Sequence, residues 1–281
     1  MIEWRHWHNE PILIGGLVFL GWLWAILAGP LRARLGAASG DGAPPFPKAH
    51  AFRFYAALLV FYVAVGSPLD QVAESYLLTA HMLQHQLLIY PAAMLFLLGI
   101  PAWMIDPLLA RPRIYGVARF ATRPSVCAIV FLLVFGAWHA PLLYSAALAN
   151  KVLHVVEHIL FFGSALLYWW PLLSPSQRLP RIRHGAQMLY LLGVIIGMMP
   201  IHAYITFSGD ILYPVYEYAP RIFPNFGPEE DQLLAGVSMQ LVAMLVSLGA
   251  LGVAFYRWYE ATEGGSLARR SGPPKVLEAG V

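Results

Sequence analysis

Charge is what this chain has least of. Only 12% of its 281 residues are Asp, Glu, Lys or Arg, about half the share of a typical soluble domain. So little charge cannot cover a globular surface, which excludes a free-standing soluble fold. Cysteine is nearly absent as well. Cys127 stands alone, which excludes an internal disulfide and any cysteine-rich metal site. Its place inside an apolar stretch marks it as a small packing residue. No repeat of 20–50 residues recurs, and the one stretch that reads as flexible is 36–47, rich in Gly, Ala and Pro. The net charge of +3 follows the layout of apolar segments, so nucleic acid is not expected as a partner.

What is abundant is apolar surface. Hydrophobic residues make up 59% of the chain and aromatic residues 14%. Several apolar runs approach or exceed the roughly 20 residues that cross a bilayer as a helix. Seven spans are predicted, at about 11–30, 50–67, 76–99, 125–144, 151–173, 186–206 and 231–256. The first is preceded by Met1-Ile-Glu-Trp-Arg-His-Trp-His-Asn-Glu10, which is not a positive leader, and no small-residue cleavage site follows. It is therefore expected to span rather than to serve as a secretion signal. The expected fold is an all-α integral membrane bundle of seven transmembrane helices, forming a single domain over residues 1–281.

Charge sets the expected orientation. Fifteen of the eighteen basic residues fall in the connections after spans one, three and five and in the tail, leaving Arg5, Lys151 and Arg221 opposite. By the positive-inside rule the N-terminus is outside and the C-terminus cytoplasmic. Ten of the fifteen acids, among them Asp70, Glu74, Asp210, Glu217 and Glu229-Glu230-Asp231, run the other way. Trp169-Trp170 and Trp258 read as anchors at the inner interface, Trp4 and Trp7 at the outer one.

That topology places a set of histidines at one depth. His81-Met-Leu-Gln-His85 and His154-Val-Val-Glu-His158 lie in the first two turns of spans three and five, and His139 lies near the last turn of span four. Residues four apart share a helix face, close enough for two imidazoles to hold one ion. Polar groups beside hydrocarbon are costly without a partner, so the cluster is a functional-site candidate. His81, His85, His139, His154 and His158 are the candidate metal ligands. Imidazole suits copper, zinc, iron and nickel; nearby methionines such as Met82 favour Cu(I). Glu157, beside His158, is placed to orient a ring or neutralise charge. Taken singly, an interfacial histidine anchors or hydrogen-bonds, and that reading is kept for His6, His8 and His202. Met188, Met198, Met199, Met239 and Met244 read as packing residues. Gly193-x-x-x-Gly197 allows close helix contact, within the bundle rather than between protomers.

Ser67-Pro-Leu-Asp70, Ala80-His-Met-Leu-Gln-His85, Trp138-His-Ala-Pro141 and His154-Val-Val-Glu-His158 with Tyr168-Trp-Trp-Pro171 follow one another in this order. In that order the chain resembles the CtaG-type cytochrome c oxidase assembly factors, bacterial multi-span membrane proteins, over roughly residues 50–260. The resemblance implies a non-enzymatic helper in building a haem–copper oxidase, handling copper at the outer face of the bacterial inner membrane. It also implies an apo-oxidase subunit as partner, with a periplasmic copper chaperone as a second candidate, and places Asp70 at the rim of the site. The external segment 203–232 is long and aromatic, and is expected to offer a docking surface.

Three other functions compete. His154-Val-Val-Glu-His158 matches the H-x-x-E-H pattern of zinc peptidases, with Glu157 as base, but the pattern is short and leaves His81 and His85 without a role. A haem-b electron carrier would use His pairs as axial ligands, although tandem pairs offer two histidines at one level. A copper transporter would need a path inward, and the inner leaflet holds no histidine apart from His50 and His184 at its edge. Copper is therefore the expected cofactor, zinc and haem the alternatives.

Overall fold

A computed structural model describes residues 7–39 and 44–270. Trp4, Arg5, His6 and Lys275 lie outside the described residues, as do the side chains of Arg269 and Arg270. The described chain is all helical. In order the helices are α1 (Pro11–Ala28), α2 (Arg32–Ser39), α3 (Lys48–Gly66), α4 (Pro68–Ser75), α5 (Leu78–Leu87), a π turn (Leu88–Ala92), α6 (Ala93–Leu98) and α7 (Ala102–Leu109). They continue with α8 (Pro112–Ala121), α9 (Pro124–Trp138), α10 (Pro141–Ala149), α11 (Lys151–Leu173), α12 (His184–Phe207), α13 (Pro214–Glu217) and α14 (Pro228–Arg270).

Five of these are long and apolar enough to cross a membrane: α1, α3, α11, α12 and α14. Two bent pairs raise the number to as many as seven. The segment Leu78–Leu98 turns by 85° into α7, and α8 turns by 63° into α9. Both breaks fall where a proline follows, because the residue before proline is pushed out of the helical region. The same chemistry corrects the span expected over 125–144. The helix stops at Trp138, His139 is its C-cap, and Pro141 starts a separate short helix. Part of the stretch expected to be flexible, 36–39, is helical as the end of α2.

Span three carries the most informative irregularity. Pro91 lacks the N–H that an α-helix needs, and its ring crowds the preceding turn. The helix widens there into the π turn, and the indole Nε1 of Trp169 donates to the carbonyl of Ile89 at 2.8 Å. Such single-turn π segments often adjoin functional sites. Trp169 is fully buried, which corrects its expected role as an interfacial anchor. The start of α5 is held from far along the chain. Its N-cap Leu77 has no side-chain acceptor, so the carboxylate of Asp231 takes the N–H groups of Leu78 (2.7 Å) and Thr79 (2.9 Å).

Close approach of backbones sets the remaining packing. A Cβ on Gly99 would sit 2.7 Å from the backbone of Phe54, so only glycine fits against α3 there. At Gly236 of α14 it would lie 2.9 Å from the backbone nitrogen of Thr206 in α12. Of the Gly193/Gly197 pair, Gly197 packs inside the bundle against Leu132, whereas Gly193 has open space beside it. The main core joins α5, α9, α11, α12 and α14 through residues such as Phe131, Phe161, Tyr168, Trp169 and Leu191. A smaller cluster of Trp24, Ala28, Phe54 and Trp103 ties α1 and α3 to α7.

Candidate metal centre

The helical period does most of the assembly. His81 and His85 project from successive turns of α5, and His154 and His158 from successive turns of α11. Asn150 caps α11 by accepting from Val152 and Leu153, which fixes where its first turn starts. His139, at the end of α9, completes the set. All five imidazoles converge and all are buried. Nε2 of His81 stands 3.0 Å from Nε2 of His85. Ring centroids are 4.3 Å apart for His154 and His158, 5.5 Å for His81 and His154, 5.8 Å for His85 and His139, and 5.9 Å for His85 and His158.

Glu157 lies within this ring, not behind it. Its Oε1 is 3.4 Å from Nε2 of His85 and 3.8 Å from Nε2 of His81, and its Oε2 is 4.0 Å from Nε2 of His154. Side chains three apart on a helix share a face, so its spacing from His154 was the signal that it joins the donors themselves. Donor atoms of His81, His154 and Glu157 all fall within 4.8 Å of one another.

The donors are also short of partners. Nδ1 of His81 and His85, Nε2 of His139, His154 and His158, and both oxygens of Glu157 are buried without a hydrogen bond. Each such group costs about 1–3 kcal/mol in a folded interior. Nε2 of His81 and His85 pair with each other, so the orphans among the converging atoms are the other three Nε2 nitrogens and the Glu157 oxygens, a concentration that makes the cluster a candidate binding site. Two nitrogens that each lie 2.0–2.1 Å from one ion stand about 2.9–3.4 Å apart, and the His81–His85 separation falls in that range.

Neighbouring groups fix the imidazoles in that state. His139 Nδ1 donates to the Phe135 carbonyl at 2.6 Å, leaving its buried Nε2 free of a proton and without a partner. His154 Nδ1 pairs with Glu74 Oε1 at 2.6 Å, leaving its Nε2 toward Glu157. These are the outer contacts that orient histidine ligands in metal proteins. Phe161 packs 4.1 Å beneath His85 and Phe135 4.3 Å from His139, forming an aromatic floor. Tyr144 lines the wall 4.8 Å from His81. Met82 is fully buried within the main apolar core.

The segment expected as an external docking surface folds partly inward. Tyr213 donates to the carbonyl of His139 at 2.8 Å. Tyr216 donates to the carbonyl of Ala73 at 2.6 Å, which leaves the Tyr144 hydroxyl to donate to Tyr216 at 2.7 Å. Asp231, counted among the outward acids, is buried as the cap of α5. Hydroxyls and caps of this kind leave no periodic trace in a sequence.

Asp70 and Glu74 of α4 border the site on the other side. Asp70 accepts from Gln84 Nε2 at 2.7 Å and pairs with His8 Nδ1 at 2.5 Å. Burial, reinforced by the charge of Glu74, pushes its carboxyl above the usual carboxylate range. Burial opposes ionisation of Glu74 too, but the hydrogen bond and charge of His154 outweigh it and hold Glu74 below that range. His202 stays apart from the cluster and bonds Gln240 Oε1 at 2.6 Å, the ordinary role expected of it.

Residues 22–261 match the family model described as cytochrome c oxidase caa3 assembly factor (Caa3_CtaG). No curated protein and no solved structure matches the chain.

Proposed function

The chain belongs to the cytochrome c oxidase caa3 assembly factor family, and from that premise we propose that it holds copper at the outer face of the bacterial inner membrane and passes it to an apo-oxidase subunit. One observation carries the reading: five imidazoles and one carboxylate from three helices meet in a buried cluster, where donor atoms of His81, His154 and Glu157 lie within 4.8 Å of one another and Nε2 of His139, His154 and His158 and both Glu157 oxygens have no hydrogen bond. In this reading the chain crosses the membrane seven times, each bent pair counting as one span. The arginine-rich connections then lie at the bundle end remote from the histidines, which puts the centre on the outer side.

Copper fits the donor set, since imidazole nitrogen binds it strongly among divalent metals. Met82 is packed in the core, so nitrogen and carboxylate donors accommodate Cu(II) as readily as Cu(I). Haem fits poorly. Rings 4.3–6.4 Å apart leave no slot for a macrocycle between the helices. A peptidase base would face a water across a cleft, whereas Glu157 lies among three imidazoles. The aromatic floor of Phe161 and Phe135 argues against passage to the cytoplasm.

Full-length protein purified in detergent and reconstituted with copper is expected to retain about one tightly bound ion. A His81→Ala/His85→Ala variant is expected to lose it. Stoichiometric tight copper in that variant would overturn the assignment. In cells, a deletion strain is expected to lose oxidase activity and to regain it with excess copper, which separates delivery from scaffolding.

A further inference from the structure

The arginine-rich end of the bundle holds a cavity that plays no part in the histidine centre. It measures about 330 Å³, at the lower end of the range for small-ligand sites, about 300–1,000 Å³. Tyr115, Arg119 and Thr122 of α8 line one side, and Trp170 of α11 with Arg178 and Ile182 of the following connection line the other. At about 1.5 Å per residue the helix between His158 and Trp170 measures about 18 Å, so the cavity is remote from the histidines. We propose that it binds a phosphate group, with Arg119 and Arg178 as the charged donors and the headgroup of an anionic phospholipid as its source. Such binding needs no copper in the histidine centre.

Local sequence shapes both walls. On α8, Tyr115, Arg119 and Thr122 are spaced by four and three, which puts them on one face. α8 turns by 63° from α9 and buries none of its residues, as a helix lying along a bilayer surface does. Val117 and Phe120, on its other side, are 72% and 58% exposed, apolar side chains that suit hydrocarbon better than water.

The opposite wall is a braced connection rather than a loose loop. Ser176 Oγ donates to Asp106 and accepts from the backbone N–H groups of Arg178 (3.0 Å) and Leu179 (3.1 Å). Ser174 Oγ donates to the Leu179 carbonyl at 2.6 Å, and the Ile182 N–H donates to the Pro171 carbonyl at 3.0 Å. The backbone that carries Arg178 is thus fixed, while its side chain is exposed.

Charge at this cavity lacks a counterpart. Among the described residues, neither Arg119 nor Arg178 is paired with a carboxylate. Asp106 shares a second, smaller hollow with Arg178, but its oxygens are taken by Ser176 and the Gln177 N–H. Independently of the arginines, Nε1–H of Trp170, a group that can only donate, is buried without an acceptor. A phosphate brings what these walls lack, negative charge and several acceptor oxygens, and the planar fork of arginine can meet it with two bonds. Basic pockets between membrane helices take anionic headgroups for this reason. The cavity lies at the end of α11, a helix long and apolar enough to cross a membrane, where headgroups are the concentrated form of phosphate.

Lipid binding to the full-length protein in neutral detergent, read by native mass spectrometry and by melting temperature, tests this. Wild type is expected to retain about one phosphatidylglycerol in preference to phosphatidylcholine, and to melt higher with it. Arg119→Gln/Arg178→Gln should bind phosphatidylglycerol about 30-fold more weakly, from about five- to sixfold for each arginine. Both side chains are exposed, so this variant should melt as wild type does in the absence of lipid. Arg34→Gln/Arg113→Gln removes the same charge from exposed positions outside the cavity and should bind the lipid as wild type does. Equal weakening in the two variants would reveal a diffuse attraction and overturn the site. Equal retention of the two lipids would do the same. Protection by inorganic phosphate as strong as that by phosphatidylglycerol would overturn the lipid as its source.

Discussion

Glu157→Gln perturbs the centre with almost no change of shape, and two opposite effects follow. The carboxylate lies 3.4–4.0 Å from three imidazole nitrogens that surround the expected ion. At about 4 Å and an effective dielectric of about 20, two unit charges interact by about 4 kcal/mol. That corresponds to about three powers of ten in a binding constant. Relaxation recovers part of it, and changes around metal ligands commonly cost about 10–100-fold. The expected loss of copper affinity is therefore about 10²–10³-fold, read by competition against a chromophoric chelator. Without metal the sign reverses. A buried carboxylate whose oxygens lack hydrogen bonds is destabilising by several kcal/mol, so the amide should raise the melting temperature of metal-free protein. Affinity within about threefold of wild type, with the fold intact, would refute the placement of Glu157 among the donors. A lowered melting temperature without metal would show that the carboxylate is satisfied by its imidazole neighbours alone.

Asp231→Ala should destabilise the protein by about 1–2 kcal/mol in detergent unfolding, because the first two N–H groups of α5 lose their acceptor. Asp231→Asn should restore part of that, since one side-chain oxygen remains. Gly99→Ala should cost about 1–3 kcal/mol through the clash with the Phe54 backbone. Gly193→Ala, with open space around its position, should be neutral or stabilising by up to about 1 kcal/mol.

The helical character of the chain and the meeting of the histidines were legible because both rest on local period. Spacing of four places His81 with His85 and His154 with His158 whatever lies around them. The break at Pro141 carried a signal too, but apolar length masked it, and 125–144 reads as unbroken. Trp169 shows a different limit. A tryptophan near the end of an apolar run looks the same whether it anchors at an interface or, as here, plugs a π turn 80 residues away. The cap of α5 by Asp231 and the covering tyrosines depend on contacts between residues more than 70 apart. Nothing in the local pattern announces them. Glu157 lay between these cases, visible as a neighbour of the candidate ligands but readable as a further candidate only once the rings had converged.

Phe161 and Phe135 close the bottom of the histidine cluster, which makes it a cul-de-sac. Under the proposed copper role, a supplier and a recipient of the ion would have to use the same doorway, and the two could not be there together. Traffic under that role would be ordered by turn-taking at one surface, and a supplier that lingered there would slow construction of the oxidase as effectively as one that never arrived.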